Sequence, residues 1–175
     1  MTSLVDRQLA AIAEVREVSR GLAVDIWLRG GWAVDFYLGR VTRDHSDVDW
    51  FVWSGHLDAV TERLMDLGWA SVDAGSGPHR TVTRHDVHMS FQAMAPGAGT
   101  APVIADGPLV GEHWPAAMIA DAQVGRIGAQ DCLTISPAAQ LRLKRMTPQW
   151  FPGRTTRPKD LEDIANLEGA LQLRA

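Results

Sequence analysis

Apolar residues recur about every three to four positions in several parts of this chain, the spacing that gathers them on one side of an α-helix. The pattern predicts amphipathic helices over residues 4–20 and 56–67, each followed by a glycine that can end the helix. Ser136-Pro137 is typical of a helix start, with serine as the N-cap and proline in the first turn, and predicts a helix to about Met146. A last helix is predicted from Pro158 to about Leu171.

Shorter apolar runs predict strands. Residues 23–28 are a buried strand that ends in a turn at Arg29-Gly30-Gly31, and a short helix over 32–38 follows it. Further strands are predicted over residues 48–53, 69–72, 81–84 and 86–91, the last two being compatible with one continuous strand. The remaining predictions are a turn at 75–78, a Pro-, Gly- and Ala-rich loop over 95–108, short strands and hairpins over 108–135, and a Pro-interrupted loop over 147–157.

This order of elements predicts an α+β fold with a mixed sheet flanked by helices. A chain of 175 residues is the size of one domain, with room for a small helical appendage. We therefore expect a main domain over residues 1–135 and a C-terminal helical part over residues 136–175 that packs on it.

Composition limits the classes of function. With 46% apolar residues the chain can form a substantial core, and 21 acidic against 17 basic residues give it a net charge of −4. It lacks the basic surface expected of a nucleic-acid-binding protein, so we expect no nucleic acid partner. Cys132 is the single cysteine, which excludes a disulfide within the chain. No apolar run is long enough to cross a bilayer and the N-terminus lacks a signal-peptide core, so we expect no membrane association and a cytoplasmic location.

Asp47 and Asp49 are the first candidates for chemistry. Alternate residues of a strand point to the same face, so these two carboxylates share one side while Val48 and Trp50 share the other. Two carboxylates this close repel each other, and a cation such as Mg²⁺, which prefers oxygen ligands, removes that repulsion. Two solvated aspartates at a strand end are the alternative.

Gly30-Gly31 connects a predicted strand to a predicted helix. Without a Cβ, these residues let backbone N–H groups approach a phosphate, and the helix N-terminus that follows favours an anion. By itself the pair indicates only a turn. The interpretation as a phosphate-binding turn is strengthened by the carboxylates that follow it.

Asp86 and His88 alternate on a neighbouring predicted strand and share a face with Ser90. Asp86 is either a third carboxylate, able to complete a metal site or to accept a proton from an attacking hydroxyl, or a surface residue of an edge strand. For His88, a packed or partly exposed strand histidine is the favoured interpretation.

Several cations could neutralise a triphosphate. Arg40 and Arg43 lie on the loop before the Asp pair and can bind phosphate oxygens in a bidentate manner, although a solvated loop residue is the favoured interpretation of Arg40. Asp35, on the short helix, is interpreted as a helix-surface residue. The C-terminal candidates are Lys144, Arg145, Arg157 and Lys159.

Residues 29–53 resemble a known family. The resemblance is carried by Gly30-Gly31-Trp32-Ala33-Val34-Asp35, Leu38-Gly39-Arg40-Val41-Thr42-Arg43 and His45-Ser46-Asp47-Val48-Asp49. These motifs are closely similar to those of the aminoglycoside 2″-nucleotidyltransferases, and lincosamide nucleotidyltransferases share a similar block. Both groups belong to the DNA polymerase beta-like nucleotidyltransferase superfamily. A looser likeness extends through Asp86-Val87-His88 to the helix that carries Lys159-Asp160 and Asp163.

The resemblance implies a polymerase beta-like nucleotidyltransferase domain that uses ATP or another nucleoside triphosphate. A hydroxyl of a small antibiotic, an aminoglycoside first and a lincosamide second, would attack the α-phosphorus, and the modification would confer resistance. The expected catalytic and metal-binding carboxylates are Asp47, Asp49 and Asp86, with two Mg²⁺ ions about 3.5–4 Å apart. The expected nucleotide-binding residues are Gly30, Gly31, Arg43 and Lys159.

Two alternatives keep the fold but change the function. The same chemistry could act on a protein, a tRNA or another metabolite, or the chain could be a non-catalytic nucleotide-binding homologue. The chain departs from the family at His88-Met89, where the family often has His-Pro, and it lacks the carboxylate-rich stretch expected to bind a polycationic aminoglycoside. A monomer and a homodimer both fit the sequence.

Overall fold

The computed structural model describes residues 2–72, 77–99, 101–150 and 155–173. Within these residues the helices are α1 (Leu4–Leu22), α2 (Gly30–Leu38), α3 (Leu57–Asp66), α4 (Ala117–Ala120), α5 (Pro137–Trp150) and α6 (Pro158–Gln172). The strands are β1 (Ile26–Arg29), β2 (Val48–Trp53), β3 (Ala70–Ser71), β4 (His79–Arg84), β5 (Val87–Ala95), β6 (Val103–Ile104), β7 (Gln123–Ile127) and β8 (Gln130–Thr134).

The strands form a mixed sheet in the order β3-β4-β5-β2-β1-β8-β7, with β6 paired to β5. The central strand β2 runs parallel to β5 and antiparallel to β1, which in turn runs parallel to β8. The α+β fold with a mixed sheet flanked by helices is therefore confirmed.

The two faces of the sheet bury different cores. Val48, Trp50 and Val52 of β2 point to one face, where they belong to the same buried cluster as residues of α1 and α3. Phe51 points to the other face and packs in a second buried cluster with Met118 of α4. On the face that carries Asp49, Phe51 is fully buried, whereas Asp49 near the start of β2 is partly exposed.

The strands predicted over 81–84 and 86–91 are the two arms of the β4–β5 hairpin, so the alternative of one continuous strand is wrong. His85 adopts a left-handed backbone conformation (φ 55°) and, with Asp86, forms the turn between the two antiparallel strands. Asp86 is thus a turn residue, and β5 begins at Val87. The strand predicted over 86–91 therefore begins one residue too early.

The C-terminal helices pack on α2. Val34 and Tyr37 of α2 form a buried cluster with Leu167 of α6, and α5 contacts both α2 and α6.

The helix α5 continues to Trp150, further than predicted, and β6 lies within the predicted loop over 95–108. The predicted turn at 75–78 and loop over 147–157 fall partly outside the described residues, and the division of the chain after residue 135 stays a prediction. None of the helices in the described ranges has the length and apolar character needed to cross a membrane.

Candidate active site

The double glycine follows β1 directly, forms the first two residues of α2 and lies beside Asp49. Gly30 adopts a left-handed conformation (φ 74°), and a Cβ at this position would lie 2.9 Å from Oδ2 of Asp49. A Cβ on Gly31 would lie 2.5 Å from Nδ1 of His45 and would also collide with the guanidinium of Arg43. Glycine is therefore required at both positions because a side chain would collide with site residues. The side chain of Gln140 on α5 fixes the turn further by donating a hydrogen bond to the Gly30 carbonyl (3.1 Å).

The turn, the Asp pair and several cations line a common cleft of about 60 Å³. The lining residues are Gly30, Gly31, Arg43, His45, Asp47, Asp49, Lys144, Arg157 and Lys159. Asp47, Asp49 and all four predicted nucleotide-binding residues therefore lie in one place. Arg40 and Arg145, also considered as phosphate ligands, are not among the lining residues.

The loop between α2 and β2 is held by a buried carboxylate. Asp35 accepts hydrogen bonds from the backbone N–H of Thr42 (3.1 Å) and from Nε2 of His45 (2.7 Å). The His45 ring also packs against Trp32 at 4.5 Å between centroids. Asp35 is fully buried, so its interpretation as a helix-surface residue is wrong. Its contacts determine where His45 and the rest of the loop lie over Gly31.

A second buried carboxylate, Asp163 of α6, holds the cations. Arg43 donates to both Asp163 oxygens, from Nε at 3.0 Å and from Nη2 at 2.7 Å, and Lys144 of α5 lies 2.7 Å from the same carboxylate. Asp160, one turn earlier, pairs with Lys144 at 3.1 Å and with Arg157 at 2.6 Å. Lys159 reaches Ser46 Oγ at 3.4 Å. These contacts fix the cationic wall of the cleft before any anion is bound.

The ionisation of both carboxylates follows from these contacts. Burial raises the pKa of Asp163, but the hydrogen bond from Arg43 and the charge of Lys144 outweigh it, so its pKa lies below the ordinary value. The pKa of Asp160 is lowered in the same way, burial being outweighed by Arg157 and Lys144. Both groups therefore stay charged at neutral pH. The hydrogen bond that Arg157 donates to Asp160 raises the pKa of Arg157, and the nearby charges of Asp47 and Asp49 raise it further.

Asp86 does not join the other two candidate carboxylates. Its carboxylate accepts from Nε of Arg7 at 2.8 Å and from Nη2 of the same guanidinium, and it is not a lining residue of the cleft. The hydrogen bonds from Arg7 lower the pKa of Asp86. Within the ranges that the structure describes, no three His, Cys, Asp or Glu side chains converge as a metal site. The role of Asp86 as a base or a third metal ligand stays a prediction.

Arg29 is a site residue that the sequence pattern did not identify. It is the register partner of Asp49 on β1, its Nη2 lies 3.6 Å from Oδ1 of Asp49, and its guanidinium stacks over the Phe51 ring at 4.7 Å. Its position next to Gly30 could have identified it, because the last residue of a strand that ends at a glycine turn lies at the same edge of the sheet as that turn. Asp163 was marked only by the loose family likeness of its helix, and no local pattern linked it to its partner Arg43, which is 120 residues away.

The oxygen ligands in the cleft suit Mg²⁺. Asp47 and Asp49 supply hard carboxylate oxygens beside a wall of phosphate-binding cations, and Mg²⁺ is commonly held by one or two carboxylates together with substrate phosphates. The residues present therefore fit at least one such ion.

The sheet, the glycine turn and the paired carboxylates define a nucleotidyltransferase fold of the polymerase beta type. The chain belongs to the aminoglycoside-2″-adenylyltransferase family, whose sequence profile matches residues 11–167. The family named from the motifs is thereby confirmed.

Curated relatives match shorter stretches. A 2″-aminoglycoside nucleotidyltransferase of Escherichia coli is 37% identical over 71 residues, which are 39% of this chain and 40% of the relative. A lincosamide resistance protein of Staphylococcus haemolyticus is 32% identical over 65 residues, 37% of this chain and 40% of the relative. The matched stretches thus span about two fifths of these relatives.

Solved structures match nearly the whole fold. ANT(2″)-Ia in complex with adenylyl-2″-tobramycin superposes with a TM-score of 0.76 at 21% identity, over 96% of this chain and 91% of that one. Lincomycin-bound LnuA, a lincosamide antibiotic adenylyltransferase, gives a TM-score of 0.69 at 19% identity, over 89% of this chain and 92% of that one. At these identities the likeness shows the fold.

Proposed function

We propose that this protein transfers a nucleoside monophosphate, AMP from ATP, to a hydroxyl of a small antibiotic, and thereby confers resistance. The carrying observation is the cleft in which the glycine turn, two carboxylates and four cationic side chains meet. Family membership supports the reaction type. An aminoglycoside is the first proposed acceptor and a lincosamide the second. Since the reaction consumes ATP, the cytoplasm is the proposed compartment.

Binding of the triphosphate follows from the charges in the cleft. The N-terminus of α2 offers N–H groups at Gly30-Gly31, and Arg43, Lys144 and Lys159 line the same cleft. Asp163 holds Arg43 and Lys144 in place, so these side chains lose little conformational entropy when a phosphate binds.

Asp47 and Asp49 would hold Mg²⁺, which when bound neutralises phosphate charge and orients the α-phosphate for in-line displacement. The acceptor hydroxyl releases its proton to solvent as its oxygen forms a bond to the α-phosphorus, the bond from that phosphorus to the bridging oxygen breaks, and pyrophosphate leaves. The chain's own contribution is to position the phosphates and to balance their charge, which supplies most of the catalysis in phosphoryl-type transfer.

The test is pyrophosphate release from Mg²⁺-ATP with a panel of aminoglycosides and lincosamides. Tobramycin and lincomycin are included because they appear, as an adenylyl derivative and as a ligand, in the structural neighbours. Asp49→Asn should abolish release because it removes a metal-binding charge. Asp44→Asn is the matched control, since Asp44 is exposed on the same loop and does not line the cleft.

Release with one antibiotic class, absent in Asp49→Asn and retained in Asp44→Asn, would establish the reaction and the acceptor class. Nucleotide binding without release for any antibiotic would reject the proposed acceptors. Full activity of Asp49→Asn would reject the mechanism.

A further inference from the structure

The parallel pairing of β2 with β5 decides which side chain lies beside each carboxylate of the site. Asp49 is the register partner of Ser90, and Val48 is the partner of Met89, which makes His88 the neighbour of Asp47. Register partners point to the same face of a sheet from strands about 4.8 Å apart. The position next to Asp49 on β5 is therefore a hydroxyl and not a carboxylate.

The other neighbours of this position carry no carboxylate either. On the opposite side of Asp49, the register partner on β1 is the cation Arg29. On the far side of β5, the register partners of Ser90 and His88 are Thr81 and Thr83 of β4. A third acidic ligand for a metal ion at Asp49 is thus missing from these paired strand positions.

Asp86 is the acidic residue nearest to Ser90 along the sequence, but its carboxylate is bound by Arg7. It lies in the turn before β5, and both of its oxygens accept hydrogen bonds from Arg7 of α1. This helix packs against the face of the sheet that carries Val48 and Trp50, opposite to the face of Asp49. The ion pair joins α1 to the β4–β5 turn.

From this geometry we propose that the chain binds one divalent cation on Asp47 and Asp49 alone. Ser90 occupies the place from which the neighbouring strand would supply a third carboxylate, and Asp86 is a structural residue. The inference rests on the proposed nucleotidyl transfer. Two protein carboxylates are sufficient for Mg²⁺ when substrate phosphates and water complete its coordination.

The proposal is tested by counting bound Mn²⁺, which substitutes for Mg²⁺ and is measured by electron paramagnetic resonance. The full chain is titrated with and without a non-hydrolysable ATP analogue, and the bound metal is counted per protein. Wild type should bind one Mn²⁺ per bound nucleotide. Ser90→Asp should bind a second one, because it places a carboxylate beside Asp49, while the isosteric control Ser90→Asn should stay at one.

Two further variants separate the roles of the aspartates. Asp49→Asn should weaken Mn²⁺ binding by at least about tenfold, the lower end of what even indirect ligand contacts contribute. Asp86→Asn should leave the count unchanged and the affinity within about twofold, while Arg7→Gln should reproduce whatever loss of thermal stability Asp86→Asn shows.

Two Mn²⁺ ions in wild type, or loss of an ion in Asp86→Asn, would overturn the inference. If Ser90→Asp does not fold, as judged by circular dichroism, the wild-type and Asp86→Asn counts still decide it. If wild type binds no nucleotide at all, the proposed function fails separately. In that case, Mn²⁺ binding to the free chain that depends on Asp49 and not on Asp86 would still support the two-carboxylate site.

Discussion

Gly31→Ala would test how tightly the site is packed around the glycine turn. The added Cβ would lie 2.5 Å from Nδ1 and 2.6 Å from Cε1 of His45, well inside van der Waals contact, and would also meet the Arg43 guanidinium. Neither side chain can move without loss, because His45 is bonded to buried Asp35 and Arg43 to buried Asp163. The clash must therefore be relieved by breaking one of these contacts or by moving the backbone of α2.

The size of the effect follows from two opposing contributions. Inserting a methyl group into a packed site costs about 1–3 kcal/mol. Alanine in place of glycine inside a helix returns roughly 0.5–1 kcal/mol. We expect the free energy of unfolding to fall by about 1–2 kcal/mol, which for a chain of this size lowers Tm by roughly 2–8 °C.

The assay is thermal and urea unfolding of the wild type and the variant, together with ATP binding by calorimetry. Gly21→Ala is the matched control, because Gly21 lies in α1, needs no left-handed conformation, and a Cβ added there would meet nothing beyond its own helix within 4 Å. That variant should be as stable as wild type or more stable by up to about 1 kcal/mol. We expect ATP affinity to fall in Gly31→Ala and to stay unchanged in Gly21→Ala. A Gly31→Ala variant with wild-type stability and ATP affinity would refute the packing argument.

The remaining predictions concern two buried groups. Asp163→Asn should lower the free energy of unfolding at pH 7 by an amount near the lower end of the ~3–5 kcal/mol typical of a broken buried pair, since Lys144 keeps Asp160. Because the folded-state pKa of Asp163 is lowered, its contribution is complete above the unfolded-state pKa of about 4 and is lost as the pH falls through the folded-state value. Urea unfolding from pH 7 to pH 3 should show the gap between wild type and Asp163→Asn closing, and a constant gap would contradict this assignment. Burial raises the pKa of the Cys132 thiol to about 12, so an aromatic disulfide reagent should react with it only at the rate of unfolding. Rapid reaction in native buffer would show that the thiol is accessible.

Much of the fold was accessible from local patterns. The strand β2, the helix α6 and the strand-turn-helix around Gly30-Gly31 all come from periodicity and turn residues within about ten positions of each other. Around His85-Asp86 the same patterns predicted two strand segments but left open whether they form one continuous strand or a hairpin. Local sequence cannot distinguish these two cases because both satisfy the same burial of alternate residues.

The sequence alone determined the glycine turn, the paired carboxylates Asp47 and Asp49, and the family, because these depend on short-range order along one strand and its turn. Only the tertiary structure decided which residues complete the site. The contacts of Asp35 with His45 and of Asp163 with Arg43 become visible only when helices pack. The ion pair of Asp86 with Arg7 depends on how α1 packs on the sheet, and the position of Ser90 beside Asp49 depends on the register between β2 and β5. If the turn before β5 lay a few residues earlier or later, a different side chain would lie beside Asp49. The register of β5 against β2 is set by the packing of the whole sheet, which local sequence does not show.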